Sequence, residues 1–121
     1  MKFYHCSSCG QIILKGIDTN QPVTCCNQEM DELKPISESD PSDEHHIHIR
    51  KIGNFVTLSL INHPTLEVHH IRLIGMETNQ GFQYKLIKSE QLPKAEFILA
   101  KAEDIINVYA ICNIHLLFST H

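Results

Sequence analysis

No run of about 18 apolar residues is present, so no stretch could cross a bilayer as a helix. The opening residues, Met1-Lys2-Phe3-Tyr4-His5-Cys6, lack the apolar core of a secretory leader, and the expected location is the cytoplasm. Basic blocks are missing as well. Ten Lys and Arg stand against 14 Asp and Glu, a formal charge of −4, which leaves no electrostatic footprint for nucleic acid. Internal repeats and low-complexity tracts are also absent. What remains, 42% hydrophobic and 20% charged, is a globular composition, and 121 residues allow one compact domain or a small module followed by a domain of ordinary size.

Metal-ligating side chains are plentiful: five cysteines and nine histidines. Thiols stay reduced in the cytoplasm, where clustered cysteines more often bind metal than form disulfides. Four of the five fall within residues 1–34. Cys6-Ser7-Ser8-Cys9-Gly10 is followed after a gap by the vicinal pair Cys25-Cys26. Cys-x-x-Cys before a glycine lets the backbone turn so that both sulfurs face one point. The intervening stretch holds Ile12, Ile13 and Leu14 and the turn-rich Gly16-Ile17-Asp18-Thr19-Asn20, which reads as a hairpin returning the chain to the metal. Cys6, Cys9, Cys25 and Cys26 would form a tetrahedral site for iron or zinc. A module this small cannot be held by burial alone, so the metal would supply much of its folding energy. His5, beside a ligand, reads as exposed.

Residues 35–43 contain two prolines with serine and acidic residues and read as a linker. From residue 44 the pattern becomes short apolar runs of period two. His45, His46 and His48 surround Ile47 and Ile49; Val56, Leu58 and Leu60 alternate with Thr57 and Ser59; further runs cover 68–74, 82–87, 95–100, 105–111 and 116–118. About seven short strands separated by turn signals predict a β-sandwich over 44–121. Residues 94–106 are ambiguous: their Ala, Glu, Lys and Leu content favours helix, whereas Ala95, Phe97 and Leu99 alternate as a strand would.

Cys112 stands apart from the other cysteines, in Cys112-Asn113-Ile114-His115. Taken alone it reads more readily as a small buried hydrophobe than as a ligand paired with His115. His63, His69 and His70 lie across a turn from one another, and adjacent strand residues face opposite ways, so His69 and His70 cannot both enter one site; the same holds for His45 and His46.

Three motifs in order, with the four thiols, resemble the desulfoferrodoxin family, the two-centre form of superoxide reductase. Residues 4–10 and Cys25-Cys26-Asn27-Gln28-Glu29-Met30 are similar to its desulforedoxin module, which carries an iron tetrathiolate. His63-Pro64 through His69 resembles its His-Pro-Met-x-x-x-His segment, Cys112-Asn113-Ile114-His115 its Cys-Asn-x-His segment, and Glu44-His45-His46-Ile47-His48 its Glu-Lys-His-x-Pro segment. The resemblance implies a mainly β protein: a rubredoxin-like metal module and an immunoglobulin-like seven-stranded sandwich, with 94–100 a strand. It implies iron at both sites, zinc being an alternative in the tetrathiolate. The implied second-centre ligands are His46, His63, His69 and His115, with Cys112 axial. Catalytic roles would fall to Glu44, which closes the sixth position, to His45 at the family's lysine, and to Cys112. The implied activity is one-electron reduction of superoxide to hydrogen peroxide, with a rubredoxin-like electron donor, a homodimeric assembly, and no nucleic-acid or membrane partner.

The sequence departs from the pattern in places. His48 replaces the proline, His70 an aromatic residue, and Leu116-Leu117-Phe118 the family's Gly-Leu-Trp; tryptophan is absent from the chain. The interval from His46 to His63 is shorter than the family pattern leads one to expect. Two alternatives follow: a weakly active or non-catalytic redox or sensor protein of the same fold, and a zinc ribbon for protein or nucleic-acid binding, which the missing basic patch and the second histidine cluster oppose.

Overall fold

The computed structural model describes residues 1–37, 40 and 42–120. Positions 38, 39 and 41 of the expected linker, and position 121 of the expected second domain, lie outside the described residues. Every regular element among them is a strand. The chain divides into two compact units, Met1–Lys34 and Pro35–His121.

In the first unit, β1 (Lys2–His5) is flanked by β2 (Ile12–Lys15) and β5 (Asp31–Leu33), while β3 (Thr24–Cys25) and β4 (Gln28–Glu29) form a separate short hairpin. Ile12, Ile13 and Leu14 therefore return antiparallel along β1 rather than hairpinning among themselves. Phe3, Cys6 and Met30 are its buried residues, a very small core. The loop at 16–20 is closed by charge: Asp18 takes ion pairs at 3.1 Å from both Lys2 and Lys15 and accepts the Asn20 N–H. Those donors hold the Asp18 carboxyl far below the usual carboxylate range, the Asn20 backbone N–H contributing most.

In the second unit, β6 (Ile36–Ser37) lies in the segment expected as linker. It pairs parallel with β13 (Leu116–Thr120) as an edge strand. The other strands are β7 (His48–Ile52), β8 (Phe55–Ser59), β9 (Ile71–Thr78), β10 (Gly81–Leu86), β11 (Lys94–Ile98) and β12 (Ile105–Cys112). One sheet has the order β11-β8-β7 and the other β10-β9-β12-β13-β6. Apart from β6, this is the three-on-four arrangement of an immunoglobulin-like sandwich. The alternation in β8 and β11 buries Val56, Leu58, Ala95 and Phe97, which meet Ile74, Met76, Val108, Ala110 and Phe118 from the facing sheet in one core. Gly75 sits mid-strand because Tyr84 pairs opposite it and Phe82 packs close: a Cβ there would stand 2.8 Å from the Phe82 ring.

The site depends on one end of this sandwich. There the turn before β7, the loop between β8 and β9, and the β12–β13 turn come together.

Candidate metal centres

The first cluster is made by two tight turns. After β1, Cys6 N–H donates to Gln11 O (2.9 Å) and Gly10 N–H to Cys6 O (2.8 Å), with Gly10 at φ +83°. The β3–β4 hairpin turns through Cys26 and Asn27, at φ +54° and +61°. Two successive left-handed residues are the signature of a type I′ turn, and this explains the vicinal ligands: the reversal at Cys26 lets both neighbouring sulfurs face inward. Gln28 Nε2 donates to Ser8 Oγ at 2.7 Å and so ties the two turns together.

The four sulfurs lie within 4.8 Å of one another, with Cys9–Cys25 at 3.6 Å and Cys25–Cys26 at 3.8 Å. A tetrahedral metal–thiolate bond of about 2.3 Å sets sulfurs about 3.8 Å apart, so the cluster fits such an ion. Backbone N–H groups, Cys9's foremost, bring the Cys6 thiol down to about 6. Hydrogen bonding from Cys9 and the other neighbouring sulfurs pushes Cys25 up to about 12. Four such thiols ionise together only with a cation among them.

The second cluster stands at the end of the sandwich. Cys112 is the last residue of β12 and fully buried, and its Sγ lies 3.8 Å from His115 Nδ1. His115 Nδ1 lies 3.2 Å from His45 Nε2. One ligand atom from each of His45, His69, Cys112 and His115 falls within 4.8 Å of the others. His63 completes the ring, its centroid 4.7 Å from that of His69 and 5.0 Å from that of His45. His45 and His63 are buried, His69 half-buried and His115 exposed, so the group opens to solvent on one side.

Two observations bear on a metal here. His63 Nδ1 lies 2.8 Å from Pro64 O, which can only accept; the proton is therefore on Nδ1 and the Nε2 lone pair is free. Nε2 of His63 and of His69 are both buried with no hydrogen-bond partner among the described residues. Buried, unpartnered nitrogens in a ring of imidazoles fit the coordination of a cation. Burial also holds His45 and His63 below the usual imidazole range, favouring the neutral form that ligates.

One expected ligand is not in this ring. His46 turns away and meets His48 instead, with ring centroids 4.6 Å apart, and His45 takes its place. The cause is local. Asp43 Oδ1 accepts the His45 N–H at 2.8 Å and Asp43 O the His46 N–H at 3.2 Å, a turn that aims residue 45 inward and leaves residue 46 outside the ring. The interval to His63 lengthens by one residue. Glu44 is half-buried at the rim, its Oε1 3.7 Å from His45 Nε2. His70 faces away, its Nδ1 3.1 Å from the carbonyls of Leu66 and Glu67.

Sequence reading missed several supports. Asn113 clips the two ligand segments: its Oδ1 accepts the His70 N–H (2.9 Å), its Nδ2 donates to Val68 O (3.1 Å), and its N–H donates to His70 O (3.1 Å). His69 is thus held on both sides. Asn113 lies within a quoted motif, but nothing local signals this partner 45 residues away. Leu116 closes the β12–β13 turn at φ +65°, a conformation costing a non-glycine residue roughly 1–2 kcal/mol, at the position where the family carries glycine.

The desulfoferrodoxin family model matches residues 43–121. A desulfoferrodoxin homolog of Archaeoglobus fulgidus is 31% identical over 123 residues, covering 99% of this chain and 96% of the relative. A desulfoferrodoxin of Desulfarculus baarsii is 32% identical over 118 residues, covering 95% and 91%. The crystal structure of the superoxide reductase from Treponema pallidum superposes with a TM-score of 0.82 at 20% identity, over 98% of this chain and 95% of that one, a likeness of fold. These matches show that the chain belongs to the desulfoferrodoxin family.

Proposed function

We propose that this chain is an iron-dependent superoxide reductase, with His45, His63, His69, His115 and Cys112 holding the catalytic ion and Cys6, Cys9, Cys25 and Cys26 holding a second ion, iron or zinc. The observation that carries this reading is the ring of four imidazoles around a buried thiol, two of its nitrogens unpartnered among the described residues. Imidazole and thiolate together suit iron, and the family and the fold of the superoxide reductase from Treponema pallidum favour that metal. When bound, iron supplies the single electron that converts superoxide, with two protons, to hydrogen peroxide.

The protein's own residues do the rest. Four neutral imidazoles add no charge, so the Cys112 thiolate is the one anionic ligand and the electron-rich one. The exposed flank at His115 admits a small anion and the solvent protons its reduction consumes. Glu44 stands beside His45, within reach of the same space. An external one-electron donor, such as a rubredoxin-like protein, restores the reduced state, and assembly as a homodimer belongs to the same proposal.

A second reading has its own observation. The turn that presents His45 carries Asp43 and Glu44, with carboxylate oxygens 3.5 and 3.7 Å from its ring nitrogens, and the family's lysine, which would offset them, is replaced by His45 itself. Carboxylates there repel superoxide, which favours a weakly active redox or sensor protein of the same fold. Protein purified without oxygen, analysed for iron and mixed rapidly with superoxide, separates the two. Oxidation of the iron in step with superoxide consumption supports the reductase. Iron-loaded protein that superoxide fails to oxidise overturns it in favour of the second reading.

A further inference from the structure

The five side chains of the second cluster are not equally well anchored. Cys112 and His115 belong to the β12–β13 hairpin, Asn113 brackets His69, and the Pro64 carbonyl fixes His63. His45 alone comes from a turn ahead of the first strand of its sheet, and its closest ring-nitrogen neighbour is another ligand, His115.

Two residues of β13 address this segment. The Phe118 ring lies flat on the His45 imidazole, with centroids 3.8 Å apart and planes within 5° of parallel. It also meets His115 edge-on at 6.5 Å. Two residues along the same face, Thr120 Oγ1 accepts the N–H of Ile47 at 3.1 Å, in a buried contact spanning 73 residues. Phe118, Thr120 and Ile47 are all at most 5% exposed, so neither contact competes with water. Stack and hydrogen bond thus grip the chain at residues 45 and 47, on either side of the outward-turned His46.

We propose that Phe118 and Thr120 are positioning residues for His45: together they fix its depth and ring plane, so that its nitrogen meets the ion held by the other four ligands. Neither touches the substrate. The inference rests on reading those five side chains as ligands, but its physical basis, a preformed His45 orientation, exists before any metal arrives. Flat stacking confines the imidazole to one plane. The Thr120 hydroxyl supplies the acceptor without which the buried Ile47 N–H would be orphaned, at a cost comparable to losing the stack.

The test uses the full chain with ferrous iron. Phe118→Leu keeps apolar bulk without the ring, and Thr120→Val keeps shape without the acceptor. Each should speed chelator removal of ferrous iron from the histidine centre about tenfold, leave the tetrathiolate iron in place, and shift the visible thiolate-to-iron band that the centre shows once its iron is oxidised. Phe118→Trp and Thr120→Ser should restore both. In metal-free protein the His45 ring protons should resonate upfield, shielded by the Phe118 ring, and move back in Thr120→Val, where that ring is kept; a merely structural role would lower the unfolding temperature without moving that signal. Folded variants with unchanged iron release, band position and His45 resonances overturn the inference. Should Phe118→Leu fail to fold, Thr120→Val carries the same readouts. Wild-type protein that binds no iron at the histidines overturns the metal reading, while the His45 resonance still decides whether its orientation is preformed.

Discussion

At the scale of single residues, the contrast between His45 and His46 is the sharpest test of the site. Two adjacent imidazoles compete for one position, and an Asx-turn with a stacked aromatic turns His45 inward. His45→Ala should weaken metal retention at the second centre by more than the roughly 10–100-fold cost of losing an outer partner, whereas His46→Ala should leave retention near wild type. Metal content after dialysis against a chelator reads both, and equal losses would mean that both rings ligate. The protonation of these rings gives a second prediction. Burial lowers the proton affinity of His45 and His63 in the folded chain below that of the unfolded chain, near 6.5. Below that pH the unfolded state binds protons that the folded state refuses. The contribution to stability is therefore intact above about pH 6.5 and declines as the pH falls. The unfolding midpoint of metal-free protein should drop between pH 7.5 and 5.5, followed by calorimetry; a midpoint that rises on acidification would mean the rings take up protons in place.

At the scale of elements, the ligand centre is a meeting of loops, and Asn113 is the link between two of them. Asn113→Ala removes its two side-chain hydrogen bonds, to the amide of His70 and the carbonyl of Val68, and frees His69 to move. The expected cost is roughly 10–100-fold in metal affinity, with the first centre unaffected, measured by competition against a chromogenic chelator. Unchanged affinity would mean the loop before β9 holds its shape alone. Strand β11 shows how tertiary context overrules local preference. Its residues favour helix, yet Ala95 and Phe97 are buried and Lys94, Glu96 and Ile98 exposed, an alternation only a strand provides. The chain then turns at Ala102, φ +60°, where Glu103 accepts the Ala100 N–H and the Thr78 hydroxyl.

At the scale of the whole molecule, separability and charge carry the remaining predictions. A fragment beginning at Pro35 should fold and bind about one metal ion, since roughly 80 residues suffice for a sandwich core. A fragment beginning at Asp43 loses β6 and should unfold at lower temperature, because the pairing of Phe118 and Ser119 with Ile36 and Ser37 goes with it. Equal midpoints would mean that edge strand adds nothing. The net charge of −4 and the carboxylates of Asp43 and Glu44 repel an incoming anion. The second-order rate with superoxide should therefore rise with ionic strength, as screening shortens to about 10 Å at 0.1 M. Glu44→Lys should raise the low-salt rate and reverse the slope. His45→Lys, which the resemblance to the family's Glu-Lys-His segment would suggest for the same purpose, removes a ring member instead. A salt-independent rate in both proteins would place these carboxylates away from the path of entry.

By itself the sequence determined the gathering of the thiols and most of the scaffold. Cys-x-x-Cys-Gly with a vicinal pair specifies a thiolate cluster, because sulfur spacing and turn residues are local properties. Alternation in β8 and the spacing of turns specify a sandwich, since period-two burial follows from the pleat. Cys112 with His115, and His63 with His69, stood out only through their resemblance to the family's motifs, each pair lying on one short segment. Only the tertiary structure decided which of His45 and His46 enters the ring, that residues 36 and 37 form an edge strand, and that Asn113, Phe118 and Thr120 support the ligands. Each of these rests on a partner 43 to 82 positions away, or on a side chain turned by one residue in a turn. Local pattern is blind to the first and gives both answers to the second. A hydrogen bond between Ile47 and Thr120 exists because two sheets close on one core, and no window of sequence contains both of its ends.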